Sequence, residues 1–238
     1  MLIAKNSKGE IAILKDVLSK QFAIKDLGDA HHFLGMCIKR DCKCGILELS
    51  QEEYIHKVLQ RFNMHGGKAL STPMATYVEL SKNVCPKSDA KKAKMEKVSY
   101  SSAVGNLMYA MVSTRPDIAF GVGVVSRYMA KPGKKHWEAM KHILRYLKGS
   151  ASKCLHFGNI DASIVGYTHL NYAGCVDTRR STSGYVFLFA GAAMSWRSCL
   201  QNCTLSSTTE AEYVAVSSSS KEAVWLSRLV GDLGIFKL

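Results

Sequence analysis

The sequence predicts an α+β protein in which a helical region is followed by three antiparallel strands and a long helix. Apolar residues recur at helical spacing between residues 100 and 149, whereas short β-rich runs separated by turns follow residue 155. Charge divides the chain in the same way: residues 1–158 hold 26 basic and 13 acidic side chains, and residues 159–238 hold 6 of each. We therefore expect a basic, mostly helical part and a neutral, strand-rich part.

The composition is that of a globular chain with an excess of positive charge. It has 238 residues, 47% of them hydrophobic and 21% charged, which suffices for one large or two small cores. Its formal net charge of +13 predicts a polyanion such as nucleic acid as a partner, because neutralising phosphates releases counterions. Lysines that serve only solubility are the alternative.

Neither the cysteines nor the N-terminus indicates secretion. The spacing of the eight cysteines does not fit structural zinc, so we expect mostly free thiols in a reducing compartment. The N-terminus lacks a charged segment followed by a long apolar one, and residues 181–195, a long uncharged stretch that contains polar residues and glycines, are too short to span a bilayer. The sequence predicts a cytoplasmic or nuclear protein with no membrane partner.

Periodicity predicts a helix and a hairpin at the start of the chain. Residues 2–4 have the character of a strand end, and residues 8–22 carry apolar side chains at helical spacing. Apolar runs at residues 33–38 and 45–49 flank a polar stretch, which is typical of a hairpin.

A capped helix and a linker are predicted next. Ser50 can accept from the third backbone N–H while Glu53 reaches back, which is the pattern of a capping box. Residues 82–97 are rich in lysine, contain Pro86 and nearly lack large apolar side chains, so they predict a flexible linker. Its lysines could contact phosphate or could belong to a solvated loop.

Three helices are predicted at residues 100–112, 116–130 and 134–149. Pro116 lies in the first turn of the second, and Gly149 suits a left-handed cap on the third. One narrow face of the third helix collects charged side chains, opposite an apolar face. These charged residues are Lys134, Glu138, Lys141, Arg145 and Lys148. The four basic ones are candidate nucleic-acid contacts, and a merely solvated basic face is the alternative.

The last part of the chain predicts strands at residues 164–170, 184–189 and 193–198 and a helix at residues 209–233. Three of its motifs, at residues 166–174, 179–187 and 205–213, resemble in order and spacing the ribonuclease H region of copia-type LTR retrotransposon polyproteins. Motifs further upstream extend the resemblance to the reverse transcriptase tail, thumb and connection. These lie at residues 70–74, 100–110, 114–119 and 142–149.

The resemblance implies four regions. Residues 1–81 correspond to the palm end, the primer-grip hairpin and the start of the thumb, and residues 82–99 to the lysine-rich linker. Residues 100–158 correspond to a helical thumb or connection, and residues 159–238 to a truncated ribonuclease H-like domain. The family fold would then leave the strand at residues 164–170 with an open edge, which predicts self-association or completion by a partner.

In the parent family a cluster of carboxylates binds Mg²⁺ ions that activate water for cleavage of RNA in a hybrid. The resemblance places His169 and Asn171 where two of these acids belong, and it matches Glu212 to a third. Imidazole and amide groups are poor ligands for Mg²⁺, so Glu212 would bind metal weakly at best. The remaining family acids correspond to positions beyond residue 238. We therefore expect no cofactor and little or no nuclease activity.

The leading hypothesis is a catalytically dead remnant of a reverse transcriptase and ribonuclease H. Such a remnant would retain non-specific binding of an RNA/DNA hybrid or duplex through its basic two thirds. One alternative is an active nuclease with a rearranged site built from Glu210, Glu212 and Asp177. Another is a host-adopted module that binds proteins. No P-loop, GxSxG or His-Glu-x-x-His pattern suggests other chemistry.

Overall fold

The computed structural model describes residue 3 and residues 7–75, 80–158 and 163–234. The described residues form seven α-helices and two antiparallel sheets, so the predicted α+β class is confirmed. The helices are α1 Lys8–Gln21, α2 Glu52–Arg61, α3 Asp89–Glu96, α4 Tyr100–Ser113, α5 Ala119–Ser126, α6 Lys134–Gly149 and α7 Thr208–Asp232. The strands are β1 His32–Phe33, β2 Met36–Asp41, β3 Ile46–Ser50, β4 Leu155–Phe157, β5 Val165–Asn171, β6 Thr182–Phe189 and β7 Ala192–Leu200.

The first helix forms as predicted but buries no side chain. Its N-cap is Ser7, whose Oγ accepts from the backbone N–H of Glu10 at 3.4 Å. Large apolar side chains on it stay exposed, with Ile13 at 67% of its surface and Phe22, directly after it, at 61%. The strand predicted at residues 2–4 falls mostly outside the described residues.

The predicted hairpin is confirmed, and its sheet contains two more strands. The order is β1-β2-β3-β4, so a strand more than a hundred residues later in the chain pairs with the hairpin. The turn between β2 and β3 is held by Asp41, whose Oδ1 accepts from the backbone N–H groups of Lys43 and Cys44 at 2.9 and 3.2 Å. Gly45, with φ of 67°, completes the reversal.

The predicted capping box is wrong in its details. Ser50 Oγ accepts from Glu52 N at 3.2 Å and not from the N–H of Glu53. The N-cap residue is Gln51, which is 1% exposed, and its Oε1 accepts from the Thr114 hydroxyl at 2.7 Å. Because this contact holds Gln51 against α4, the helix begins after it.

The lysine-rich segment is more ordered than predicted. It contains a 3₁₀ turn, Lys82–Val84, and the helix α3. Neither element buries a residue, so they add little apolar contact to the fold.

The helical core lies between α2, α4, α5 and α6. It is a cluster of 20 buried apolar residues that includes Leu107, Val122 and Leu144, each 0% exposed. Pro116 begins a 3₁₀ turn, Pro116–Ile118, and α5 ends at Ser126, earlier than predicted.

Gly149 does not form the predicted left-handed cap. It is the last residue of α6, Ser150 is the C-cap, and Gly149 is not among the glycines with positive φ. Its role is close approach, because a Cβ at this position would lie 3.0 Å from the Cβ of Ala69.

A buried arginine ties the start of α5 to the end of α6. Arg115 is 2% exposed, and its Nε and Nη2 donate to the Asp117 carboxylate at 3.0 and 2.8 Å. It also donates to the backbone O and the Oγ of Ser150 at 2.9 and 2.6 Å, while the Tyr146 hydroxyl donates to Asp117 at 2.6 Å. Burial raises the pKa of Asp117, but the hydrogen bonds from Arg115 and Tyr146 outweigh burial, and the net pKa is lowered.

The C-terminal part has the predicted three antiparallel strands and a helix. The strand order is β5-β6-β7, with β5 at the edge of the described sheet. The helix α7 buries mostly small residues, which allow it to approach the sheet closely. The small residues are Ala211, Ala215 and Ser219, and the larger Leu226 and Val230 are buried further along the helix.

None of the described helices is long and apolar enough to cross a membrane.

Candidate nucleic-acid interface and carboxylate positions

His169 lies in the exposed edge strand, on the face of the sheet opposite α7. Phe187 packs where a Cβ on Gly166 would lie, and its cross-strand neighbour Ser195 donates to Glu222 of α7 at 2.6 Å. These residues mark the α7 face. Since side chains alternate along a strand, His169, three positions beyond Gly166, points to the other face. The structure does not place His169 on the face covered by the helix that carries Glu212.

Asn171 supports a turn. A Cβ on Gly174 would come within 2.7–2.8 Å of the Asn171 amide atoms, so this glycine leaves room for the side chain. The turn contains Ala173 with φ of 49°, and the Ala173 N–H donates to Ser181 Oγ at 3.0 Å. The amide therefore packs within the loop that follows β5.

The two glutamates at the start of α7 have different surroundings. Glu212 is exposed. Glu210 accepts from the backbone N–H and the hydroxyl of Ser206 at 3.1 and 2.9 Å, and its own N–H donates to Ser207 Oγ. The Ser206 hydroxyl and backbone hydrogen bonds lower the pKa of Glu210. This carboxylate is occupied in capping the helix.

Asp177 joins the two parts of the molecule. Its carboxylate accepts from the Lys82 backbone N–H at 2.9 and 3.0 Å and from the Tyr128 hydroxyl at 3.1 Å. Tyr128 stacks on His136 with ring centroids 4.1 Å apart. Within the described residues, no group of three His, Cys, Asp or Glu side chains could hold a metal ion. Asp177, Glu210 and Glu212 therefore form no such group in the described part of the chain.

The basic face of α6 has two halves. In the first half, called here the open half, the lysines face solvent, and in the second, the occupied half, the side chains donate to backbone carbonyls of another segment. Lys134 is 87% exposed, and its Nζ lies 3.8 Å from Glu138. Arg145 Nε instead donates to the backbone O of Lys68 at 2.7 Å, and Lys148 Nζ donates to the backbone O of Gly67 at 2.7 Å. Lys141 is partly exposed. Thus only part of the predicted stripe is an open cationic surface.

Sequence reasoning missed two structural clusters. One is the Arg115 network. The sequence indicated it by placing an arginine and an aspartate between two apolar helices. The other surrounds His136, which is 0% exposed, accepts from Gly133 N at 2.8 Å and lies 3.2 Å from Ser81 O. Burial lowers the pKa of His136, so the ring is neutral, with its proton on Nε2 facing Ser81.

Comparisons with known sequences identify the family of this chain. A model of the reverse transcriptase (RNA-dependent DNA polymerase) family matches residues 1–76. A retrovirus-related Pol polyprotein from a transposon of Nicotiana tabacum is 54% identical over 235 residues, which are 99% of this chain and 18% of that polyprotein. One from Arabidopsis thaliana is 35% identical over 237 residues, 99% of this chain and 16% of the polyprotein.

A third relative is much shorter. A Plasmopara viticola protein named as a secreted RxLR effector is 48% identical over 134 residues, which are 56% of this chain and 94% of that protein. No solved structure matches the chain significantly.

The sequence relatives place the helical core, the hairpin and the three-stranded sheet with its helix within a segment of a retrotransposon Pol polyprotein. The chain belongs to the copia-type family of retrotransposon Pol polyproteins. It spans less than a fifth of the length of the two Pol polyproteins described above.

Proposed function

We propose that this Pol segment binds nucleic acid non-specifically through residues 1–158 and has no nuclease activity of its own. The observation that carries the binding proposal is the charge distribution, with 26 basic against 13 acidic side chains in residues 1–158 and 6 of each beyond them. A cationic surface attracts a phosphate backbone without reading its sequence.

Exposed lysines on two helices supply the surface. Helix α3 buries no residue and carries Lys91, Lys92 and Lys94. On α6, Lys134 is 87% exposed, and its 3.8 Å contact with Glu138 is a solvent-exposed pair of small energetic value. Phosphate oxygens can therefore replace the Glu138 carboxylate at little cost.

The proposal of inactivity rests on the carboxylate positions. Asp177 and Glu210 are engaged in hydrogen bonds that hold the fold, and Glu212 is left without either of them as a second oxygen ligand. Mg²⁺ chemistry on phosphodiesters requires several converging negative oxygens. An active site rearranged around Glu210, Glu212 and Asp177 would have to break these contacts.

Binding is tested with the full chain and a labelled RNA/DNA hybrid by fluorescence anisotropy across a salt series. We expect the logarithm of the binding constant to fall linearly with the logarithm of salt concentration, by about 0.9 for each phosphate contacted. Lys134→Glu combined with Lys141→Glu should weaken binding about tenfold or more. The matched control is Lys221→Glu in the neutral part, which should change it less than about twofold. Affinity that does not respond to salt would refute the proposal.

Cleavage is tested on the same hybrid with Mg²⁺ and with Mn²⁺. We expect no cleavage above a metal-free control. Metal-dependent cleavage that Glu212→Gln abolishes would overturn the inactivity proposal and establish the rearranged site.

A protein-binding module is the second candidate. It is favoured by the Plasmopara viticola relative, which is named an effector and aligns with this chain over 94% of its own length at 48% identity. If the chain unfolds cooperatively but does not bind the hybrid at any salt concentration tested, this candidate is favoured over the first.

A further inference from the structure

Residues 65–73, called here the strap, lie across the occupied half of the basic face of α6. The strap has no helix or strand, and His65, Gly66, Lys68, Ala69, Ser71 and Thr72 are exposed. Both of its neighbours in sequence, Met64 and Met74, pack against the helical core. It is thus a nine-residue segment anchored at its two ends.

The middle of the strap is held to α6 by polar contacts. Three α6 side chains reach its backbone carbonyls: Arg145 Nε to Lys68 at 2.7 Å, Lys148 Nζ to Gly67 at 2.7 Å, and His142 Nε2 to Thr72 at 3.0 Å. In return the Leu70 N–H donates to the backbone O of Arg145 at 3.3 Å. No strap residue belongs to the apolar core cluster.

These contacts use Arg145 Nε and Lys148 Nζ, two groups that a phosphate backbone can also contact. A carbonyl oxygen is neutral, whereas a phosphate oxygen is anionic and forms shorter, stronger hydrogen bonds with guanidinium and ammonium groups. Replacing strap carbonyls by phosphates is therefore an exchange of weaker for stronger acceptors. Adjacent glycines, Gly66 and Gly67, give the strap the backbone freedom to move aside.

We propose that the strap is an autoinhibitory cover, which nucleic acid displaces from Arg145 and Lys148 when it binds along α6. The inference rests on the proposed nucleic-acid binding and adds a competition within the chain. The affinity measured for nucleic acid is then the intrinsic affinity reduced by the fraction of molecules whose strap is open.

The first test locks the strap. The Cβ of Ala69 lies 3.0 Å from the position of a Cβ on Gly149, so Ala69→Cys combined with Gly149→Cys can form a disulfide after a small outward shift. We expect the oxidised variant to bind a labelled RNA/DNA hybrid at least about fivefold more weakly than the reduced variant. Equal affinities of the two forms, with the disulfide verified by mass spectrometry, would overturn the proposal.

Controls address the native thiols, all eight of which are free cysteines. Wild-type chain and the single Ala69→Cys variant receive the same oxidant and reductant and should bind equally in both states. If wild-type chain does not bind hybrid at all, the proposed function fails. If it binds but the locked form binds equally well, only the strap proposal fails.

The second test loosens the strap without removing the proposed phosphate contacts. His142→Ala deletes the contact with Thr72 but keeps Arg145 and Lys148. We expect about twofold tighter binding of hybrid and faster hydrogen exchange at Leu70. A purely cationic or structural role of His142 predicts unchanged or weaker binding, and that result would contradict an inhibitory strap.

Discussion

The helical part and the C-terminal part bury their apolar side chains in different ways. The core of the helical part is a cluster of 20 residues, among them Met140, Ile143 and Leu144, each 0% exposed. The C-terminal part buries fewer large side chains: Phe187, Leu226 and Val230 lie between α7 and its sheet, and the small Ala192 and Ala193 pack toward the other sheet. The helix α7 leaves Tyr213 77% and Trp225 56% exposed.

Hydrogen bonds connect the C-terminal part to the helical part. Trp196 Nε1 of β7 donates to the backbone O of Met111 in α4 at 2.9 Å, and Asp177 accepts from Lys82 and Tyr128. The outer face of α7 and the edge of β5 are exposed in the described structure. The helical part therefore has the larger internal stabilisation, since burial of apolar surface is the dominant favourable term in folding.

Breaking the Arg115 network should have the largest effect, because it lowers the stability of the helical part, which has the larger core. Arg115→Met leaves Asp117 and Tyr146 without their cationic partner, and removal of one member of a buried ion pair costs about 3–5 kcal/mol. We expect the urea midpoint of the helical part to fall accordingly, measured by tryptophan fluorescence and circular dichroism. The control is Arg228→Met on the exposed side of α7, for which a change above about 0.5 kcal/mol is not expected. An equally stable Arg115→Met variant would show that the network is dispensable.

Removing the contact between the two parts should have an intermediate effect. Asp177→Ala leaves the Lys82 N–H and the Tyr128 hydroxyl without this acceptor, at a cost of about 1–3 kcal/mol. Hydrogen exchange should accelerate in β5, β6 and α7 more than in α4 and α6. Asp232→Ala, at the exposed end of α7, is the matched control and should leave exchange unchanged. Uniform acceleration across both parts would mean that they unfold as one unit.

Acidification should destabilise the junction through His136. Burial lowers the pKa of this histidine in the folded state below its ordinary value of about 6.5, so the unfolded chain binds a proton more readily. Its contribution to stability is fully present above pH of about 6.5 and is lost as the pH falls below that value. His136→Gln should flatten the dependence of the unfolding free energy on pH between about 6.5 and 5. An unchanged slope would assign the dependence to other groups.

The smallest effect is expected at the open edge of β5. Tyr167 is 58% exposed on this strand, and a free strand edge favours pairing with a second copy. We expect the apparent mass in size-exclusion chromatography to rise with concentration. Tyr167→Lys should remain monomeric at the same concentrations while the melting temperature stays unchanged, because a lysine on an edge opposes pairing. Concentration-independent elution of the wild-type chain would remove the self-association prediction.

Much of the fold was predictable because its signals are local. The α4 and α6 helices, the β2–β3 hairpin and the strands β5–β7 follow from apolar spacing and turn residues, and their bounds match within a few positions. Errors occurred where a distant contact overrides a local preference. Gln51 is held by Thr114, 63 residues away, which displaces the capping box. Gly149 is held by its close approach to Ala69, so it remains helical.

The candidate site was predicted less completely for the same reason. The motifs identified His169, Asn171 and Glu212 by position, but alternation along β5 and the packing of α7 decide which faces they occupy. Helical periodicity placed Arg145 and Lys148 on one cationic face. It could not show that backbone carbonyls of a segment some 77 to 81 residues earlier accept their hydrogen bonds.

The sequence by itself determined the family, most of the helices and strands and the uneven charge, because these depend on residue identity and short-range spacing. The tertiary structure decided which charges are free. From the sequence Asp177 was a possible metal ligand, but in the fold it accepts hydrogen bonds that link the two parts of the molecule. Arg145 and Lys148 of the predicted cationic face donate hydrogen bonds to the strap. Hydrogen bonds between residues far apart in the chain form only when the fold brings them together, so no pattern of neighbouring residues records them.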